Sequence, residues 1–133
     1  MDIKKRDALL KRVGDIRKRP LVTLEEFFEG NDDGGSIWCN TSPAPEPAMV
    51  YEILRGIRAR SDVSDVRVMV TQYDGGEDEW PFSDTIFVVT TASPETVVSW
   101  FGDDYAPDEI VDAEPAEEIA VPQGHTIIAC WWD

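Results

Sequence analysis

The sequence predicts an α+β domain built on a four-stranded antiparallel sheet with two helices on one face. Three observations indicate it: short segments alternate apolar and polar residues with a period of two, apolar residues recur at helical spacing between them, and Gly, Pro and Asp separate the segments. The resulting order, β-α-β-β-α-β, is that of the ferredoxin-like arrangement. One or two helices are expected to precede it.

The predicted sheet depends most on two neighbouring segments. Val66, Val68 and Val70 alternate with polar or longer side chains, and residues 85–91 are rich in β-branched types. The connection between them holds no helical pattern, so they are expected to form an antiparallel hairpin with a long tip. The four predicted strands cover residues 36–40, 66–73, 84–91 and 126–132.

Two helices are predicted to lie between these strands. From Val50 onward, apolar residues recur at i, i+3, i+4 and i+7, which indicates a helix over residues 47–60. The sequence Ser-Pro-Glu provides an N-cap, a first-turn proline and a first-turn acid for a second helix over residues 95–101. Residues 103–124 hold eight carboxylates, three prolines and no basic residue, and are expected to form a crossing loop.

Charge divides the chain into two parts. Residues 1–19, called the leader below, hold eight of the 12 basic residues, whereas the rest of the chain holds four arginines and 24 carboxylates. The leader is expected to form a basic helix over residues 2–18 with Leu9, Val13 and Ile16 on one side. Residues 20–133 are expected to form a single acidic domain, with a short helix over residues 24–29 that starts from a capping box.

Composition narrows the classes of partner. The formal charge of −15 disfavours nucleic acid, because the acidic domain would repel any polyanion that the leader attracted. No apolar run approaches the roughly 18 residues that would cross a bilayer, and no signal-peptide core follows the basic start. We therefore expect a cytoplasmic protein that binds neither nucleic acid nor membrane, with a leader that docks on the acidic surface of its own chain or of a second copy.

No arrangement of residues in the sequence predicts catalysis. His125 is the only histidine, and no nucleophile lies near it in sequence. Cys39 and Cys130 have no second ligand at zinc spacing, and both are expected to be reduced, buried side chains. The acidic loops at 31–34 and 74–77 lack the spacing of a calcium-binding EF-hand loop. We expect a protein without metal, cofactor or enzymatic activity.

The loop between the two central strands is the first candidate partner-binding site. It combines two aromatic residues, as an apolar anchor, with a rim of carboxylates, and such a combination is typical of an interface for a basic protein. The candidate residues are Trp80, Phe82, Asp74, Glu77, Asp78 and Glu79. The structural alternative is a loop that folds back on the sheet edge.

The last strand carries the second candidate. Trp131 and Trp132 are consecutive, so their side chains point to opposite faces of the sheet. Helices on one face leave the other tryptophan in need of a cover. Either the N-terminal helices or a partner would provide it.

Three functional hypotheses follow. The leading one is a non-enzymatic acidic domain that captures a cationic protein; inhibitors and immunity proteins that neutralise nuclease-type toxins are similar to it in charge and size. The alternative is a ferredoxin-like small-ligand or regulatory domain that acts as a homodimer through the open sheet face. An enzyme that uses His125 comes third.

Overall fold

The computed structural model describes residues 1–115 and 118–133, and in them it has four α-helices and a five-stranded antiparallel sheet. The helices are α1 (Ile3–Val13), α2 (Leu24–Phe28), α3 (Pro47–Arg58) and α4 (Pro94–Ser99). The strands are β1 (Leu21–Thr23), β2 (Val63–Met69), β3 (Thr85–Thr90), β4 (Glu109–Ala113) and β5 (Thr126–Trp131). The α+β class is confirmed. The predicted count of four strands is wrong, and the ferredoxin-like order is not confirmed: the strands lie in the order β1-β2-β3-β5-β4.

The predicted central hairpin is confirmed. Strands β2 and β3 pair antiparallel, with Val66 opposite Val88. Beyond β2 the ladder continues through an isolated bridge in which the N–H of Phe82 donates to the carbonyl of Gln72 at 2.7 Å. The bridge closes residues 73–81 into a loop, called the hairpin tip below.

Two strands lie where the sequence analysis expected none. Strand β1 has only three residues after Pro20, and the last of them, Thr23, already begins the capping box of α2, so the strand is too short for a visible alternation. Strand β4, inside the expected crossing loop, pairs with β5 along one edge, and most of its side chains are exposed. An edge strand with little burial shows no hydrophobic alternation in its sequence. Charged side chains, such as those of Glu109 and Asp112 in β4, are common on edge strands.

The expected first strand at 36–40 is absent. Trp38 has a φ of 50°, in the left-handed region, which interrupts any extended run. Only Ile37 bridges to another segment, at Ser83. The segment is a turn that buries Trp38 against the end of β5.

The helix boundaries follow local capping chemistry. The predicted capping box is present: the Thr23 hydroxyl accepts from the N–H of Glu26, whose carboxylate accepts from the N–H of Thr23. The expected helix over residues 2–18 is interrupted, because Gly14 adopts a φ of 63° and ends α1, and a single 3₁₀ turn (Ile16–Lys18) follows. None of the helices within the described residues is long and apolar enough to cross a membrane.

All four helices pack on one face of the sheet. The main core lies between these helices and the sheet, and Leu9 and Val13 of the leader belong to it. Leu9 is only 2% exposed. The leader therefore covers the helical side of the sheet, and of the two covers considered for the opposite face the N-terminal helices do not provide one.

The opposite face, called the second face, is covered in part by Ile119, which lies in the segment between β4 and β5. Ile119 is 5% exposed and packs with Phe87, Val89, Ile127 and Ala129. The carboxylate of Glu118 accepts a hydrogen bond from the N–H of Leu21 at 2.9 Å and so fastens this segment to β1.

Candidate functional site

A pocket of about 500 Å³ opens where three segments meet: the turn around Trp38, the hairpin tip and the end of β5. Six of the eight predicted partner-binding residues line it: Asp74, Glu79, Trp80, Phe82, Trp131 and Trp132. The two candidate sites of the sequence analysis are thus one site. Glu77 and Asp78 do not line the pocket.

Stacked aromatic rings form the base of the pocket. The ring centroids of Trp38 and Trp132 lie 4.2 Å apart with 22° between their planes. Phe101 meets both rings edge-on, at 6.0 and 5.1 Å. The indole N–H of Trp132 donates to the carbonyl of Tyr105 at 2.9 Å. These contacts hold the end of β5 against the turn at Trp38.

Asp33 ties the turn to the hairpin tip. One carboxylate oxygen accepts from the N–H of Gly35 at 2.9 Å, and the other accepts from the N–H of Trp80 at 3.0 Å. Trp80 is 2% exposed, so its ring is part of the pocket wall and does not project from the surface. The hairpin tip is folded back on the body of the protein, as the structural alternative for this loop expected.

Three aromatic residues of the pocket keep accessible surface: Tyr73, Phe82 and Trp131 are half-buried. Trp131 lies on the second face, opposite Thr85 and Glu109 in the strand register. The expectation that consecutive tryptophans point to opposite faces agrees with this register, because Trp132 belongs to the main core.

The pocket is strongly acidic. Its described lining contains five carboxylates and neither Lys nor Arg. The five are Asp33, Asp74, Glu79, Asp84 and Asp133. Asp74 accepts from the Gln72 side chain at 2.9 and 3.1 Å, and Asp84 accepts from the Thr85 hydroxyl at 2.8 Å. A carboxylate has about four acceptor positions, so these bonds leave acceptor capacity for a ligand.

Two indole N–H groups of the pocket wall lack a hydrogen-bond partner. The Nε1 atoms of Trp38 and Trp80 are buried, and neither has a partner within the described part of the chain. A buried donor without a partner costs about 1–3 kcal/mol. Each is therefore a local cost to the folded protein.

The leader docks on the acidic surface of its own chain. The guanidinium of Arg6 donates to the carbonyls of Gly76, at 3.4 Å, and Glu77 in the hairpin tip. Lys5 forms an ion pair with Glu29 at 3.1 Å. Three further contacts, two ion pairs and one hydrogen bond, join the leader to the domain. These are the N-terminal ammonium with Asp32, the Arg12 side chain with Glu26, and the Asp2 N–H with the Gly30 carbonyl. The backbone carbonyl of Glu77 therefore already accepts a hydrogen bond from the leader.

The residues considered for chemistry lie in different places. His125 is outside the pocket, with Nδ1 3.2 Å from the carbonyl of Gln123. Cys130 is buried in β5, where desolvation raises its pKa to about 12. Cys39 is exposed and lines the pocket, so its expected burial is wrong. Within residues 1–115 and 118–133, no group of three or more His, Cys, Asp or Glu is arranged to hold a metal ion.

Sequence reasoning missed Asp33, Trp38 and Tyr73. Asp33 was assigned to a turn, and Trp38 to a strand. The available signal was the turn-rich run 31–35, which brings a buried tryptophan back toward the sheet end.

The fold and the pocket together define an acidic α+β protein that has a pocket lined by aromatic side chains at one end of its sheet. Residues 4–130 match the family described as "Uncharacterized protein YfbO family", and the chain belongs to this family. It is similar to "Uncharacterized protein YfbO" of Escherichia coli (strain K12), with 46% identity over 119 residues that cover 86% of this chain and 84% of that protein. No solved structure matches the chain.

Proposed function

We propose that this protein is a non-enzymatic binding domain of the cytoplasm that captures a cationic protein, in the manner of an inhibitor or immunity protein. One observation supports the proposal above the others. Aromatic and acidic residues from three separate segments converge on one pocket whose described lining has no basic side chain. Clefts lined by one sign of charge focus the field and raise the association rate of an oppositely charged partner.

The leader forms its described ion pairs with the domain away from the pocket lining, and Arg6 reaches only backbone carbonyls of the hairpin tip. The domain carboxylates in these pairs are Glu26, Glu29 and Asp32, none of which lines the pocket. A partner with a basic surface therefore meets carboxylates at the pocket mouth and apolar ring surface below them. This is the usual division between a charged rim that steers and an apolar centre that holds.

The test begins with capture of interacting proteins on the immobilised full chain, followed by binding kinetics with the purified partner at several salt concentrations. The informative variant is Asp74→Asn with Glu79→Gln. Its control is Asp103→Asn with Asp104→Asn, which removes the same charge from an exposed loop outside the pocket. We expect the pocket variant to associate several-fold more slowly with a weaker salt dependence, and the control to change little.

Neutralising Glu77 and Asp78 in a second variant tests the rest of the predicted rim. Because these residues lie outside the pocket lining, their effect on association should be smaller than that of Asp74 with Glu79. For the apolar part, Phe82→Ala is the better substitution, since Phe82 is half-buried whereas Trp80 supports the fold. Equal effects of pocket and control variants, or a partner without basic surface, would reject the proposal.

The homodimer alternative has one supporting observation. Val111 of β4 is 56% exposed on the second face, and half-buried Trp131 lies on the same face of the sheet. Sedimentation equilibrium of the wild type and of Val111→Asp tests it. A monomer at micromolar concentration would reject a homodimer through this face.

A further inference from the structure

We propose that the pocket binds one arginine side chain of the partner. The inference rests on the proposed function and specifies the chemistry of the group that enters the pocket. Three features of the pocket support it: its charge, its accessible rings and its size.

The first feature is charge with spare acceptor capacity. Asp74, Glu79 and Asp133 contribute carboxylates to the lining, and Asp74 and Glu79 come from the same hairpin tip. A guanidinium has five N–H donors in a flat fork that pairs with carboxylates in a bidentate manner. No described lining residue is a Lys or Arg that would compete for these acceptors.

The second feature is aromatic surface, which favours arginine over lysine. Tyr73, Phe82 and Trp131 keep accessible ring area at the pocket. The planar and weakly hydrated guanidinium stacks on such rings more readily than a compact ammonium does. The same chain contains this contact elsewhere: the guanidinium carbon of Arg60 lies 4.2 Å from the ring centroid of Trp100.

The third feature is size. A pocket of about 500 Å³ lies within the range of typical ligand pockets and exceeds what a single side chain fills. The remaining space accommodates the backbone on either side of the arginine.

The test uses defined probes with the full-length protein. These are the acetylated and amidated tripeptide Gly-Arg-Gly, the same tripeptide with citrulline or with lysine in place of arginine, and spermidine. Citrulline matches the shape of arginine without its charge. Binding is followed by the side-chain indole signals of the five tryptophans in ¹H–¹⁵N spectra, assigned with Trp38→Phe and Trp80→Phe.

We expect the arginine peptide to shift the indole signals of Trp38 and Trp80 and to leave that of Trp100, outside the pocket, unchanged. The citrulline peptide should bind at least about tenfold more weakly, because the charge-assisted bonds are lost. The lysine peptide and spermidine should also bind more weakly, because an ammonium group stacks on aromatic rings less readily than a guanidinium does. Asp74→Asn with Glu79→Gln should abolish the response, and Asp103→Asn with Asp104→Asn should keep it.

Other outcomes overturn the inference. Equal binding of arginine and citrulline peptides would exclude a charge-selective pocket, and equal binding of arginine and lysine peptides would exclude a guanidinium-selective one. An equal response to spermidine would mean a general cation site. If the arginine peptide does not bind but association of the captured partner still requires Asp74 and Glu79, this inference is rejected and the proposed function stands. If association of the partner does not require these two residues either, both are rejected.

Discussion

The stacked pair of Trp38 and Trp132 joins a turn that precedes α3 to the residue that follows β5. Trp38 is 1% exposed and Trp132 is 2% exposed. The two rings share Phe101 as an edge-on neighbour, so the cluster closes on itself. It fixes the base of the pocket and one end of the main core by the same contacts.

The first prediction concerns this pair. Replacing either tryptophan by Ala should lower the free energy of unfolding by about 3–5 kcal/mol, and a double-mutant cycle should give a coupling of about 0.5–1.5 kcal/mol from the stacked geometry. Urea unfolding followed by far-UV circular dichroism measures both. The control cycle pairs Trp38→Ala with Val111→Ala, whose exposed side chain lies on the second face, and should be additive. Additivity in the Trp38 and Trp132 cycle would contradict the prediction.

Those parts of the fold whose signals are local could be predicted from the sequence. The hairpin of β2 and β3 followed from the alternation at Val66 and Val68, and α2 followed from the capping box at Thr23. Strand β4 was missed because its pairing with β5 buries few of its own side chains. The pairing of β4 with β5 depends on tertiary contacts, and a local sequence pattern contains no information about them.

Most of the candidate residues that line the pocket could be identified individually from the sequence, but their positions relative to one another could not. Trp80 and Trp132 were identified from composition and position, yet nothing in the sequence placed them in one pocket. That placement depends on the positive φ of Trp38 and on the two hydrogen bonds that Asp33 accepts. A positive φ at a tryptophan is imposed by its packing, so the sequence gives no sign of it.

The second prediction concerns the leader. Leu9 and Ile3 lie on the same helix, but Leu9 is 2% exposed and Ile3 is 45% exposed. Leu9→Ala should therefore cost about 2–5 kcal/mol of stability, whereas Ile3→Ala should change it by no more than about 0.5 kcal/mol. Chemical denaturation of both variants gives the comparison. A leader that behaves as a free arm would make the two substitutions equally harmless.

The third prediction concerns pH. The Arg58 guanidinium donates to both oxygens of the Glu25 carboxylate, at 2.9 and 2.6 Å, and holds the pKa of Glu25 below its usual value of 4.5. A lowered folded pKa stabilises the protein above pH 4.5, and that stabilisation is lost as the pH falls through the folded value. Because the Glu25 side chain is 44% exposed, the pair should contribute about 1 kcal/mol or less.

The matched variant for this test is Glu25→Gln. Its stability should fall below that of the wild type by a constant amount near neutral pH, and the difference should vanish at a pH below the folded pKa, where Glu25 is itself neutral. Denaturation curves of both proteins between neutral and acidic pH provide the measurement. A difference that persists in acid would assign the loss to packing and not to the ion pair.

The fourth prediction concerns the cover of the second face. Ile119 is 5% exposed over Phe87 and Val89, so Ile119→Asp buries an unpaired carboxylate or lifts the segment from the sheet. Lifting it exposes the apolar side chains of β3 and β5 at the second face, and exposed apolar patches of this kind promote association. We expect lower stability, binding of an apolar dye and a concentration-dependent increase in mass. Val111→Asp places the same charge at a 56% exposed position and should remain folded and dye-free. If Ile119→Asp behaves like Val111→Asp, Ile119 does not seal this face in solution.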